Sequence, residues 1–408
     1  MTYSFLGGVR VIESSAFIAA PLAGLTLAQF GADVIRVDMI GGGIDYGRMP
    51  RMPQADGNGR SLYWTALNKG KRSIAIDLRK PEGRELIQAL ATAPGPQAGV
   101  LLTNVAAPWL AHDVLAARRA DLISCTIQGN PDGSTAVDYT VNCATGYPAV
   151  TGGGGIERPV NHVLPAWDIA CAYQAAFAIT AALNRRMATG SGAEIKLALS
   201  DVAFSMLSHL GVLAEAELLK QERPSIGNHL YGAFGRDFAT ADGVRIMVAA
   251  ISAGQWRALV QCCSIAESIS AAENRLGLDF RDEAQRFQGR DVIASLVEPW
   301  FATRKAAQVE AALSEHKVCW GRYGTVLELL ERDPRMGAAN PVFERITTEG
   351  IGEHWSAGAA SRVSGLDRTP TAPAPQLGAH TDILLHEVLG LDSGAIGRLH
   401  DAGIIAAP

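Results

Sequence analysis

Much of what would declare an activity is missing from this chain. Its six cysteines form no Cys-x-x-Cys pair and lie mostly in apolar segments, which excludes a disulfide framework and reads as reduced thiols. The nine histidines are scattered, with no His-Glu-x-x-His and no Cys/His ligand cluster, so no metal centre is expected. No Gly-x-Ser-x-Gly elbow occurs, which removes the serine-hydrolase reading. Neither sign of charge dominates: 36 Lys and Arg face 41 Asp and Glu, for a net charge of −5. Nothing there draws the chain to nucleic acid or to an anionic membrane surface. The start, MTYSFLGGVR, lacks the pattern of a secretory signal, and no uninterrupted apolar run reaches membrane-spanning length. The expectation is a soluble cytoplasmic enzyme with no nucleic-acid or membrane partner.

Nucleotide loops are missing too. A dinucleotide fingerprint needs glycines between the first strand and its helix, where backbone approaches a pyrophosphate. The segment at that place, Ser14 to Pro21, has none. Gly70-Lys71 has Thr65 where a Walker A loop needs glycine.

What is present is an alternation of strand and helix patterns. Val9–Glu13, Asp33–Asp38, Arg72–Leu78, Gly99–Val105 and Leu122–Gln128 read as strands. Helices are expected between them, at Ala19–Phe30, from Pro81 and around Ala111–Ala120, which argues an α/β fold with an open parallel sheet. Gly129–Gly155 is rich in Gly, Pro, Asn and Asp and reads as a long loop ending in Gly152–Gly155. A strand at Glu194–Leu199 and a helix from Ser200 to about Lys220 follow. A hairpin (Arg236–Thr240, Val244–Ala250) then opens a smaller α+β domain. The expected division is 1–200, a linker at 201–225, a small domain at 226–330, and a return over 331–408.

One carboxylate stands out. Asp168 follows Val163–Trp167 and opens an Ala-rich run, Ile169–Met187, that reads as a buried helix. Asp is a favoured N-cap, yet it seldom goes inside unless paired or working. Cap and nucleophile are both open, and they are compatible. The cluster Asn68-Lys69-Gly70-Lys71-Arg72 is either a solvated turn or an anion clamp. His162, near Asp168, is either satisfied by backbone or part of a pocket. Gly152–Gly155 is either a connector or a loop that approaches a ligand.

These residues fall into a known pattern. Pro21-Leu22-Ala23-Gly24, Gly31 to Asp38, Asn68 to Ile74, Pro81 to Arg84, Asn104, Asp168 to Gly192 and Leu377 to Asp382, in that order, resemble the family III CoA transferases. The group also contains α-methylacyl-CoA racemases. The resemblance implies an interlocked homodimer. Each protomer then has a Rossmann-like large domain built from both chain ends and a smaller α+β domain. It implies Asp168 as nucleophile, Lys71 near the CoA phosphates and Asn104 near the CoA chain. It also implies no cofactor beyond the CoA moiety of an acyl-CoA substrate. The family often has Arg where this chain has Met39, so Lys71 or Arg72 is expected to supply a phosphate contact.

The segments Ser14–Phe17, Ile40–Tyr46, Val137–Asn142, Asn161–Asp168 and Leu230–Asp237 resemble members that move CoA between two carboxyl groups of one molecule. The substrate this implies is mesaconyl-CoA (2-methylfumaryl-CoA), with CoA passing from C1 to C4. Tyr139 is then expected against CoA, and His162, Tyr231 and Arg236 in a dicarboxylate pocket. Oxyanions are expected to meet backbone N–H groups near Gly152–Gly155 or at the helix start. An intermolecular transferase using a separate acid, or a non-catalytic CoA-binding protein, remains an alternative. A racemase fits less well, because Val137 stands where racemases carry a histidine.

Overall fold

The computed structural model describes residues 2–53 and 59–408. Runs of β-branched residues form six parallel strands: β1 (Arg10–Ser14), β2 (Asp33–Asp38), β3 (Arg72–Ile76), β4 (Val100–Thr103), β5 (Ile123–Gln128) and β6 (Ala193–Ala198). Almost every residue of β1 to β4 is buried, as expected of strands covered on both faces. β1 lies between β2 (Ile12 beside Ile35) and β4 (Ile12 beside Leu101). The chain first builds outward from β1 on one side and then on the other. This reversal creates a crevice beyond the carboxyl ends of β1 and β4, where open α/β sheets bind ligands.

The chain divides into two units. The first takes the chain through Gly146, then Asn161–Gln221 and Arg335–Pro408; the second takes Tyr147–Val160 and Glu222–Pro334. In the second unit, β7 (Phe234–Ala239), β8 (Arg245–Ala250) and β9 (Cys319–Arg322) form an antiparallel sheet. Helices cover it around a core that includes Phe234, Phe238, Trp256, Phe280 and Phe301. Back in the first unit, β10 (Phe343–Thr348) and β11 (Gly352–Ala357) make a hairpin. A last short strand, β12 (Ile405–Ala406), runs antiparallel to β3. The large sheet is therefore ordered β12-β3-β2-β1-β4-β5-β6.

The chain's end is stitched to β3 by side chains. Ser73 N–H donates to His380 Nδ1, Ala75 N–H to Thr381 Oγ1, and Gly378 N–H to Ser73 Oγ. Leu384, Leu385, Val388 and Ile396 of the last two helices share one core with Ile35, Ile74, Ile87 and Leu101. Both ends of the chain thus complete one hydrophobic core.

Several expectations need correction. Residues 201–221 are not a linker but two helices, Leu199–His209 and Val212–Leu219. They are separated where Gly211 takes a left-handed turn (φ 75°), which ends the single helix expected there. The helix expected over Ala111–Ala120 is only His112–Ala116. Tyr147–Val160 groups with the second unit, not the first. The hairpin β10–β11 lies in a segment for which the sequence predicts no strands.

Candidate active site

The Ala-rich helix runs from Ala166 to Thr189 and ends at Gly190 in the left-handed conformation (φ 70°). At 24 residues it is long and apolar enough, by length and composition, to cross a bilayer, although Asp168, Gln174, Asn184, Arg185 and Arg186 interrupt its apolar run. Here it is a core helix: Cys171, Ala172, Ala175, Ile179 and Leu183 are buried, and it packs on helix Ala19–Gln29 and β5. Small side chains permit that close approach.

Asp168 is the third residue of this helix, not its cap. The cap comes from elsewhere. One carboxylate oxygen of Asp138 accepts both the Trp167 N–H (2.7 Å) and the Asp168 N–H (3.0 Å). An acid 30 residues upstream thereby satisfies two of the free donors that every helix start presents. These two N–H groups are not available to an oxyanion, contrary to expectation. Trp167 is pinned further by its indole N–H on Asn142 Oδ1 (3.0 Å).

The Asp168 side chain itself makes no hydrogen bond among the described residues and is half-buried. Burial pushes its carboxyl up to about 7, and the neighbouring Asp138 charge adds to the rise. Arg48 pulls the other way. A carboxylate left unpaired, desolvated and facing one cation is poised for nucleophilic or proton chemistry.

Arg48 was not singled out by sequence reasoning, and neither was Tyr63. The Arg48 guanidinium lies 5.4 Å from the Phe17 ring centre and 5.0 Å from that of Tyr63. Burial pushes the Tyr63 hydroxyl up to about 12, and the Asp168 charge contributes. Phe17 has φ 65°, a left-handed backbone unusual for an aromatic residue. It is held there from both sides. Asp45 accepts the Phe17 N–H (3.0 Å), and Asn104 grips Ala16 through its N–H (2.9 Å) and carbonyl (2.8 Å). Asn104 therefore sits at the reversal point of the sheet and fixes the loop after β1.

Beneath that loop lies a buried charge network. Arg36 donates to Asp38 (2.9 and 3.0 Å), Glu13 (3.1 Å) and Ser15 (2.8 Å). Lys71 donates to Glu13 (3.0 Å), the Pro21 carbonyl (2.8 Å) and Asn68 (3.1 Å). Gly24 is required beside it, because a Cβ there would overlap the Glu13 carboxylate.

This network corrects two expectations. The Lys71 side chain has no exposed surface, and burial pulls its amine down to about 8 against the opposing effect of Glu13. With three acceptors around its ammonium, it is a strut and not a surface clamp for phosphate. Arg72 is engaged by Asp33 (2.6 Å) and Glu387 (2.7 Å). A cavity of about 450 Å³ is bounded by Thr103, Val105, Ala106, Ala111, His112, Thr126, Glu194 and Lys196.

Of the other expected residues, Tyr139 is exposed, its hydroxyl 3.4 Å from the Val163 carbonyl. His162 stacks edge-on to Trp167 at 6.4 Å, and neither ring nitrogen finds a hydrogen-bond partner among the described residues. The reading of His162 as satisfied by backbone is thus corrected. Tyr231, Arg236 and Gly152–Gly155 all belong to the second unit. Tyr231 packs on Phe287, and Arg236 lies over the Phe238 ring at 5.3 Å. The Gly152 carbonyl accepts the N–H of Gly227 and the hydroxyl of Ser225, so this loop is tied within that unit. The structure brings Asp168, Asp138, Arg48, Tyr63 and Tyr139 into one electrostatic neighbourhood.

The model of CoA-transferase family III matches residues 6–381. The chain belongs to that family. It is 48% identical over 404 residues to 2-methylfumaryl-CoA isomerase of Chloroflexus aurantiacus (strain ATCC 29366 / DSM 635 / J-10-fl), covering 99% of this chain and 98% of that one. It is 26% identical over 437 residues to formyl-CoA:oxalate CoA-transferase of Rhodopseudomonas palustris (strain BisA53), covering 99% and 98%. Among solved structures, a CAIB/BAIF family protein from Brucella suis superimposes with a TM-score of 0.77 at 25% identity, over 95% of this chain and all of that one.

Proposed function

We propose that this CoA-transferase family member moves CoA between the C1 and C4 carboxyl groups of mesaconyl-CoA. The observation that carries the reading is its full-length, 48% identity to 2-methylfumaryl-CoA isomerase, far above its 26% to the formyl-CoA:oxalate enzyme. The unpaired, half-buried carboxylate of Asp168 supports it chemically.

The steps follow from that carboxylate. Asp168 attacks the C1 thioester carbonyl; the C–S bond breaks, leaving a mixed anhydride and CoA thiolate. The thiolate attacks the Asp168 acyl carbon; the anhydride C–O bond breaks, leaving an aspartyl-CoA thioester and free mesaconate. The C4 carboxylate then attacks that thioester and expels the thiolate. A second anhydride forms, and the thiolate closes the cycle at C4 while Asp168 leaves as carboxylate. No proton is gained or lost. Each step exchanges one activated acyl group for another of similar energy, which is the gain from covalent catalysis. The CoA nucleotide is assigned to the crevice beside Asn104, along the cavity that His112 and Lys196 help to line.

The working unit is proposed to be a cytoplasmic homodimer. Helix Val212–Leu219 buries none of its residues, and Leu213, Leu218 and Leu219 stand exposed, as do Tyr173 and Phe177 on the core helix. A second copy covering these faces removes that apolar surface from water.

Incubation with purified 2-methylfumaryl-CoA alone tests the reading. Conversion to the C4 thioester with no added acid is expected. Turnover only after a second carboxylic acid is supplied would establish an intermolecular transferase instead. Deuterium entering the acyl group from solvent would establish proton abstraction.

A further inference from the structure

An enzyme that returns CoA to the same diacid has to keep that diacid while CoA is bonded to Asp168. The inference below rests on the function proposed above and concerns what holds the diacid.

Arg48 is exposed and has no carboxylate partner among the described residues, in a chain whose other cations beside the switch-point loop, Arg36 and Lys71, are fully committed. Its guanidinium lies over the Phe17 ring at 5.4 Å and over the Tyr63 ring at 5.0 Å. Its N–H donors meet no hydrogen-bond acceptor among the described residues, and a free planar fork of this kind grips a carboxylate bidentately. The Tyr63 hydroxyl is buried and unpartnered among the described residues. A buried donor with nothing to donate to is costly, and such a group at a ligand site is explained by the ligand. Phe17 is kept in its left-handed conformation by Asp45 and, through Ala16, by Asn104. Strained backbone of this kind persists where its surroundings over-determine it, commonly at ligand clamps. The cluster and Asp168 also act on one another electrostatically.

We propose that Arg48 and the Tyr63 hydroxyl hold the carboxylate of the dicarboxylic acyl group that is not bonded to CoA. The clamp takes the C4 carboxylate in the starting thioester and the C1 carboxylate in the product. At the aspartyl-CoA stage it retains the free diacid while the other end faces Asp168. It also selects dicarboxylic acyl-CoA over monocarboxylic acyl-CoA.

The test compares trapping of the Asp168 adduct by hydroxylamine from two thioesters. One is 2-methylfumaryl-CoA. The other is 2-methylbut-2-enoyl-CoA, in which a methyl replaces the free carboxylate. Arg48→Gln is expected to cut adduct formation from the diacid by about 10- to 100-fold, the loss of a charge-assisted pair. Measured at about pH 9, where Asp168 is ionised with or without Arg48, formation from the monoacid falls far less. Arg48→Lys restores part of the diacid rate, and Tyr63→Phe gives a smaller loss of the same selective kind. Isotope-labelled free mesaconate makes up a larger share of the product formed by Arg48→Gln than of that formed by wild type. Equal losses for both thioesters, or no loss for the diacid, overturn the clamp. A wild-type enzyme that leaves 2-methylfumaryl-CoA unisomerised overturns the underlying function instead, whatever Arg48 does.

Discussion

Replacing Asp168 by Asn should abolish turnover and at the same time make the protein more stable. The reason is the cost of keeping that carboxylate where it is. Burial and the Asp138 charge lift it from 3.8 to about 7. A rise of that size corresponds to at most about 4 kcal/mol against the ionised form. Its half-exposed setting and the helix N-terminus return part of this, so about 1–3 kcal/mol is the expected gain. The pH dependence has a definite sign. With the folded value above the unfolded one, the favourable contribution of Asp168 is full below about pH 4 and is lost as pH rises through about 7. Asn is never charged and has no such loss. Thermal melts of wild type and Asp168→Asn should therefore nearly coincide near pH 4–5 and separate by a few degrees at pH 8, the variant melting higher. A variant that melts lower at pH 8, or a difference that ignores pH, would refute the idea of an electrostatically costly nucleophile.

Four further outcomes follow from the site and the charge network beneath it. Because Asp168 must be ionised to attack, kcat/KM should fall on the acid side with an apparent pKa of about 7. Asp138→Asn, which removes the repelling charge but keeps an acceptor for the two N–H groups, should move that limb to lower pH. Lys71→Met should cost about 3–5 kcal/mol in urea unfolding, because it strips a cation from buried Glu13. The KM of the folded fraction for acyl-CoA should hardly change; a raised KM at normal stability would restore Lys71 as a phosphate clamp. Gly24→Ala should destabilise by about 1–3 kcal/mol, since its methyl overlaps the Glu13 carboxylate. Equal midpoints for Gly24→Ala and wild type would show that the network can shift aside.

The strands of the large sheet were readable because buried parallel strands leave continuous β-branched runs, as in Asp33–Asp38. Asp168 was visible as an acid opening an apolar helix, but its position within the helix was not. The cap it seemed to provide comes from Asp138, and a tertiary contact across 30 residues leaves no local pattern. Lys71 read as part of a solvated turn or an anion clamp, and not as a buried strut, because its partner, Glu13, lies 58 residues away in a strand. Arg48 and Tyr63 belong to no motif. They face Asp168 only because Asp45 and Asn104 fold the loops after β2 and β4 onto the end of β1. The glycine and proline content of Gly129–Gly155 marked a loop, yet could not say that its last part joins the second unit. Periodicity reports what a segment buries, not which distant side chain completes it.

The central claim is that Asp168 alternately carries an acyl group and CoA. Peptide mapping by mass spectrometry tests it most directly, after enzyme and 2-methylfumaryl-CoA alone are mixed and quenched with hydroxylamine. The account predicts a hydroxamate on the Asp168 peptide of wild type and none on Asp168→Asn. An unmodified Asp168 in an enzyme that is turning over, or a hydroxamate on another carboxylate, would contradict it.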